Sequence, residues 1–171
     1  MDRLRNISMA GAIIGGVALY ETRARTAMEL TDLAADIDRA SFGGRFTQTG
    51  ATYQQIAAMW LTESSGNPRA TNFMGGDGAQ GGSWGLGQVT ARTAGDYGII
   101  APLAPLMLLP RIGGRVSMQH VEFTIGALRR AGRAGSASEW IQAYNVGVTG
   151  YLNNARNTAH LNRFNTNLAS I

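Results

Sequence analysis

The chain's 171 residues suit one domain plus a short extra segment, and 44% apolar content is enough to build a buried core. Cysteine is absent, which excludes disulfides and thiolate metal sites; two histidines far apart in sequence, His120 and His160, give no basis for a histidine metal centre, so no metal or cofactor is expected. All fifteen basic residues are arginine, and the net charge of +4 belongs wholly to residues 51–171, where nine arginines face five acids, while residues 1–50 balance six against six. Such a half is drawn to anionic partners, such as the carboxylates and phosphates of a cell wall. Specific nucleic-acid binding is not expected, because no helix-turn-helix pattern, aromatic-basic sheet motif or dense arginine run is present.

In chain order, residues 7–20 form an uncharged, largely apolar stretch behind Arg3 and Arg5. It has the basic start and short apolar centre of a signal peptide, yet is shorter than the ~20 residues of a spanning helix. The expected role is an apolar helix that docks into a partner protein within an assembly, with membrane lipid as the alternative contact; Gly11 and Gly15 have helix-packing spacing. Residues 21–41 predict a polar helix with Met28, Leu30, Leu33 and Ile37 on one face. Gly43, Gly44 and Gly50 mark residues 42–50 as a linker. The expected organisation is therefore an N-terminal helical segment, 1–45, and a main domain, 46–171.

Within that domain, Tyr53, Ile56, Ala57, Trp60 and Leu61 recur at helical spacing and predict a helix over 51–64. Thr52 and Gln55 are placed to cap it, and Gly66 and Pro68 to stop it. Seven glycines crowd residues 72–87, which read as a mobile loop. A short helix over 90–97 follows, capped by Thr90. Three prolines among leucines make 102–110 a buried turn. Residues 115–131 predict a helix with Val121, Ile125 and Leu128 inward. Ser138 begins another that contains Trp140, Ile141 and Tyr144 and ends at Gly147. Residues 151–157 and 161–169 read as short terminal helices. No strand pattern emerges, and the fold class is mainly α.

Glu63 carries the strongest chemical signal. It stands where the buried face of its helix emerges, behind Trp60 and Leu61, and is the only acid between Asp38 and Asp77. A carboxyl at such an edge is partly desolvated, which favours the protonated form that a general acid needs near neutral pH. The bland reading is a solvated glutamate at a helix C-terminus, where the dipole disfavours negative charge. Gly85 and Gly87 would let backbone pass close to a bound ligand, and Gln88 offers both donors and acceptors to a sugar. Tyr144 is either a core tyrosine or an amphipathic site partner of Asn145. Trp84 is either a stacking face for a sugar ring or a loop anchor. Trp60 and Trp140 read as core.

Three segments stand in order: Glu63-Ser64 with Asn67-Pro68 and Ala70; Gly85-Leu86 and Gln88 with Thr93-Ala94; and Ala143-Tyr144-Asn145 with Gly147. Together, over roughly residues 51–155, they resemble the goose-type lysozyme and soluble lytic transglycosylase superfamily. The resemblance implies a lysozyme-like helical domain that acts on peptidoglycan glycan strands. It implies that Glu63 protonates the glycosidic oxygen between N-acetylmuramic acid and N-acetylglucosamine, then takes a proton from the C6 hydroxyl to give a 1,6-anhydro product. Ser64, Gln88, Tyr144 and Asn145 would line the subsite, with Gln88 and Asn145 holding substrate and Tyr144 hydrogen-bonding near Glu63. Trp84 joins them as a candidate stacking residue.

Two features depart from the pattern. The glycine-rich span between Glu63 and Gly85 is longer than usual, and it carries Asp77. That residue could position a water and make the enzyme a lysozyme with a reducing-end product. The proline-leucine segment at 102–110 matches no part of the pattern. The small size and apolar N-terminus suit a bacteriophage virion protein that opens the wall for genome delivery. The alternatives are a periplasmic secretion- or conjugation-system enzyme and a non-catalytic glycan-binding module.

Overall fold

A computed structural model describes residues 23–171, except Gly75 and the side chains of Gly76 and Asp77; the apolar stretch at 7–20 and the Asp77 carboxyl lie outside the described residues. The architecture is mainly helical. Helix α1 (Ala27–Ile37) opens on a capping box between Thr26 and Glu29 and buries Leu30, Leu33, Ala34 and Ile37. Met28, expected on that face, is 72% exposed, because two positions before Leu30 is the far side of a helix.

Past α1 the chain tightens into a π turn, Asp38–Phe42, and a 3-10 turn, Phe46–Thr49. These residues are not a linker. Asp38 is fully buried; its carboxylate accepts from the Phe46 N–H at 3.0 Å and from the Tyr53 hydroxyl at 2.7 Å. That clamp turns Phe46 into the core shared by α1 and the helices that follow. The expected boundary near residue 45 is thus bridged by one continuous core over the described residues.

Helix α2 (Tyr53–Ser64) is the axis of this core. Its N-cap is the Thr52–Gln55 capping box, and its C-terminus closes on Ser65 in the left-handed region, φ 54°. Ile56, Ala57, Ala58, Met59 and Trp60 are all fully buried, so the helix is enclosed on nearly every side. It packs on α1 and on the last helix, α8.

After α2 comes a small antiparallel sheet of order β1-β2-β3: β1 (Thr71–Asn72), β2 (Ser83–Trp84) and β3 (Val89–Thr90). Thr71 pairs with Trp84, and Trp84 with Val89. A single helical turn, α3 (Gly76–Ala79), sits between β1 and β2, and α4 (Ala91–Gly95) follows β3 under the Thr90 cap. The sequence shows no strands because two-residue strands are too short to display alternation. Residues Ala101–Leu108 form a 3-10 segment rather than an irregular turn.

Helix α5 (Pro110–Arg130) starts five residues before its expected position, with Pro110 in its first turn, the place where a missing N–H costs nothing. Val121, Ile125 and Leu128 face inward as their spacing predicts. Helix α6 (Ala137–Val146) is capped by Ser136 with Glu139 and ends at Gly147; α7 (Val148–Leu152) and α8 (Thr158–Ala169) close the chain. Trp60 and Trp140 are core, as expected. The Trp60 indole donates to the Ser117 hydroxyl at 2.8 Å and so ties α2 to α5. A second, smaller core of Val89, Ala94, Ile99, Met107 and Val116 lies under the sheet. No described helix is long and apolar enough to cross a membrane.

Candidate active site

Between the two cores opens a cleft of about 500 Å³. Glu63, one residue from the end of α2, reaches it from the helical wall together with Tyr144, Asn145 and Gly147 of the α6 terminus and His120 of α5. The facing β wall contributes Asn72, Ser83, Gln88, Thr90 and Thr93. Glu63 is the only acid among the described lining residues, and none of these is an arginine. The positive charge of this half therefore lies outside the cleft.

The Glu63 side chain is 13% exposed. Its Oε1 lies 2.8 Å from Nε2 of His160, whose own side chain is only 2% exposed. His160 comes from the first turn of α8, where its N–H is accepted by the Asn157 side chain at 3.0 Å. A second bond, from Asn167 to the Thr62 hydroxyl at 3.0 Å, holds α8 in register with α2.

Tyr144 donates its hydroxyl to the Gly87 carbonyl at 2.7 Å, not to Glu63. Burial, and then the nearby Glu63 charge, keep that hydroxyl protonated well above the usual phenol range. Gly87 is close to Tyr144 because it has no side chain: a Cβ there would overlap Ser117 and stand 2.8 Å from the Tyr144 oxygen. The sequence suggests that this glycine makes room for a ligand; the room is taken by the protein itself.

Gln88 lines the cleft at φ 47°. Its amide nitrogen donates to the Ala70 and Gly85 carbonyls, both at 3.0 Å, which leaves the amide oxygen as the acceptor it can offer a ligand. Asn145 is exposed at the rim, its side-chain oxygen accepting from Asn157 at 2.9 Å.

Two expected lining residues are elsewhere. The Ser64 hydroxyl donates to the Trp60 carbonyl of its own helix at 2.9 Å and does not line the cleft; a serine one turn past a carbonyl finds that acceptor first. Trp84 donates its indole N–H to the Gly81 carbonyl at 2.9 Å and packs edge-on to Phe73 at 5.1 Å. It anchors the loop and is not part of the cleft lining.

Two histidines to which the sequence assigns no site role stand beside these residues, His120 and His160. His120 Nδ1 is 3.1 Å from the Tyr97 hydroxyl, and its ring lies 4.9 Å from that of Tyr144. Burial drives its pKa down to about 4 against the opposing pull of Asp96, so the imidazole is neutral near pH 7. Tyr97 is pushed up to about 12, chiefly by burial, so it stays a hydroxyl. For His160 a signal was present: His160, Phe164 and Leu168 stand at four-residue spacing, which puts the imidazole on the apolar stripe of its helix. No family model, curated protein or solved structure matches the chain.

Proposed function

We propose that this chain is a peptidoglycan lytic transglycosylase with a lysozyme-like domain, in which Glu63 is first the acid and then the base. What carries the reading is one convergence: a half-sheltered carboxyl meets Gln88, Tyr144 and Asn145, drawn from separate parts of the chain, around a single sugar-sized cleft.

Protonated Glu63 gives its proton to the glycosidic oxygen, and the bond from that oxygen to the muramyl C1 breaks. The substrate's acetamido group assists as charge develops at C1. The carboxylate left on Glu63 then removes the proton of the C6 hydroxyl as its oxygen closes on C1. The products are a 1,6-anhydro end and a free 4-hydroxyl, Glu63 is protonated again, and no water is consumed. A second carboxylate is not required by this sequence, in keeping with Glu63 as the only acid among the described lining residues. Gln88 and Asn145 orient the glycan, and the Tyr144 hydroxyl, neutral throughout, braces the turn that carries Gln88.

The same reading puts the enzyme in a bacteriophage virion, held to its neighbours by the apolar stretch at 7–20; copurification with particles tests that part. The activity is tested on isolated murein with the wild-type chain and Glu63→Gln. The variant should clear murein about 10²- to 10⁴-fold more slowly. Mass spectrometry of the wild-type digest should give anhydro ends. Reducing ends with an added water would make the enzyme a lysozyme instead, and undiminished clearing by Glu63→Gln would remove Glu63 from the chemistry.

A further inference from the structure

Resting on the reading of Glu63 as the acid, we infer that His160 is its positioning residue: a neutral imidazole that donates Nε2–H to Oε1 and so reserves Oε2 for the catalytic proton. The first observation is the 2.8 Å contact itself, formed by a ring that is almost wholly enclosed. The second is what the other side of the ring lacks. His160 Nδ1 is buried with no hydrogen-bond partner among the described residues.

Three proton arrangements could make the contact, and they differ in what Nδ1 must carry. If the ring is an imidazolium, Nδ1–H is a charged donor buried without an acceptor, which is costly. The cation would also stand in the first turn of α8, a 12-residue helix whose N-terminal dipole repels it. If instead a protonated Glu63 donates to a bare Nε2, the ring hydrogen sits on Nδ1 and is again an orphaned donor. Only the neutral Nε2–H form leaves a bare lone pair at Nδ1, the least expensive group to bury alone. The ring is therefore a neutral imidazole that donates Nε2–H to Oε1 of Glu63.

The same geometry leaves one place for the catalytic proton. Adding it to the ring recreates the orphaned Nδ1–H, and Oε1 is occupied by the donor. Oε2 remains: it accepts no hydrogen bond from the described residues and belongs to a side chain that lines the cleft. The other titratable groups that face the carboxyl from its surroundings, Tyr144 and His120, are both held neutral, so neither competes. His160 thus fixes which oxygen of Glu63 points at substrate and which is spent on the protein.

The direct test is the ring tautomer of His160 in the ¹⁵N-labelled full chain, read from long-range ¹⁵N–¹H correlations near neutral pH. His160→Gln assigns the signals, because only His120 then remains. A neutral Nε2–H ring whose signals move in Glu63→Gln is expected; an Nδ1–H ring or an imidazolium overturns the inference whatever the activity. Kinetics on murein give the second reading. His160→Gln keeps an N–H near the Nε2 position and should retain kcat within a few-fold. His160→Leu, similar in volume but without a donor, should lower kcat by about 10²-fold with little change in KM. Wild-type kcat in His160→Leu overturns the positioning role. A wild-type chain that leaves murein intact counts against the proposed activity instead, and the tautomer still decides the pairing.

Discussion

On the helical wall of the cleft, Glu63 is held by an imidazole 97 residues further along the chain, while on the β wall Gln88 is held by carbonyls of its own neighbourhood, Ala70 and Gly85. The first wall is anchored in a core with fully buried Trp60, Met59 and Ile56; the second rides on a five-residue cluster and carries Phe73, 53% exposed, and Met74, 80% exposed. On the proposed function, the group that directs a proton stands in the wall with the larger core, and the groups proposed to meet the glycan stand in the wall with less beneath it. Glu63 is therefore placed by a contact across the fold, whereas Gln88 is held by carbonyls 18 and 3 residues away, on a turn that Tyr144 braces from the helical wall.

Substitutions should separate the walls. Trp60→Ala removes one of the two largest fully buried side chains and unpairs the Ser117 bond, and should cost about 3–5 kcal/mol in urea denaturation. His120, on the helical wall, gives a pH-dependent effect. Its pKa falls from 6.5 to about 4 on folding, so between these values the unfolded chain holds more protons than the folded one. Stability from this group is complete above pH 6.5 and is lost as pH falls toward 4, by about 2–3 kcal/mol after allowing for partial exposure. A Tm series from pH 7 to 4 should fall less steeply for His120→Asn than for wild type; parallel curves would remove burial of this histidine as a source of acid lability. Gly87→Ala drives a methyl into Ser117 and Tyr144 and should cost about 1–3 kcal/mol. Its murein clearing should fall further than that loss of stability explains, because the turn that carries Gln88 must move. If Gly87→Ala proves as destabilising as Trp60→Ala with no selective loss of clearing, the contrast between the walls is wrong.

The helices were readable where periodicity and caps agree. The Thr52–Gln55 box, the Thr90 cap, the stop at Gly147 and the inward row Val121, Ile125, Leu128 all stand where their spacing puts them. Reading failed where tertiary contacts override local signals. Gly43, Gly44 and Gly50 looked like a linker, but a buried Asp38 eight residues before Phe46 folds that stretch inward, and no local pattern announces such a clamp. Gly113 and Gly114 hid the true start of α5, since poor helix formers inside a helix are explained only by what packs on them. Of the candidate site, Glu63, Gln88, Tyr144 and Asn145 meet at one cleft, whereas Ser64 and Trp84 are satisfied by nearby carbonyls. His160 escaped because a histidine on an apolar stripe reads as packing until its partner across the fold is known.

Gly85 and Gly113 lie far apart in the chain, yet a side chain at either would run into the same atom, the Met107 carbonyl. Alanines at the two positions share that neighbour, so their costs are coupled rather than additive, while Gly85, at φ 71°, keeps its backbone strain even where the carbonyl has moved.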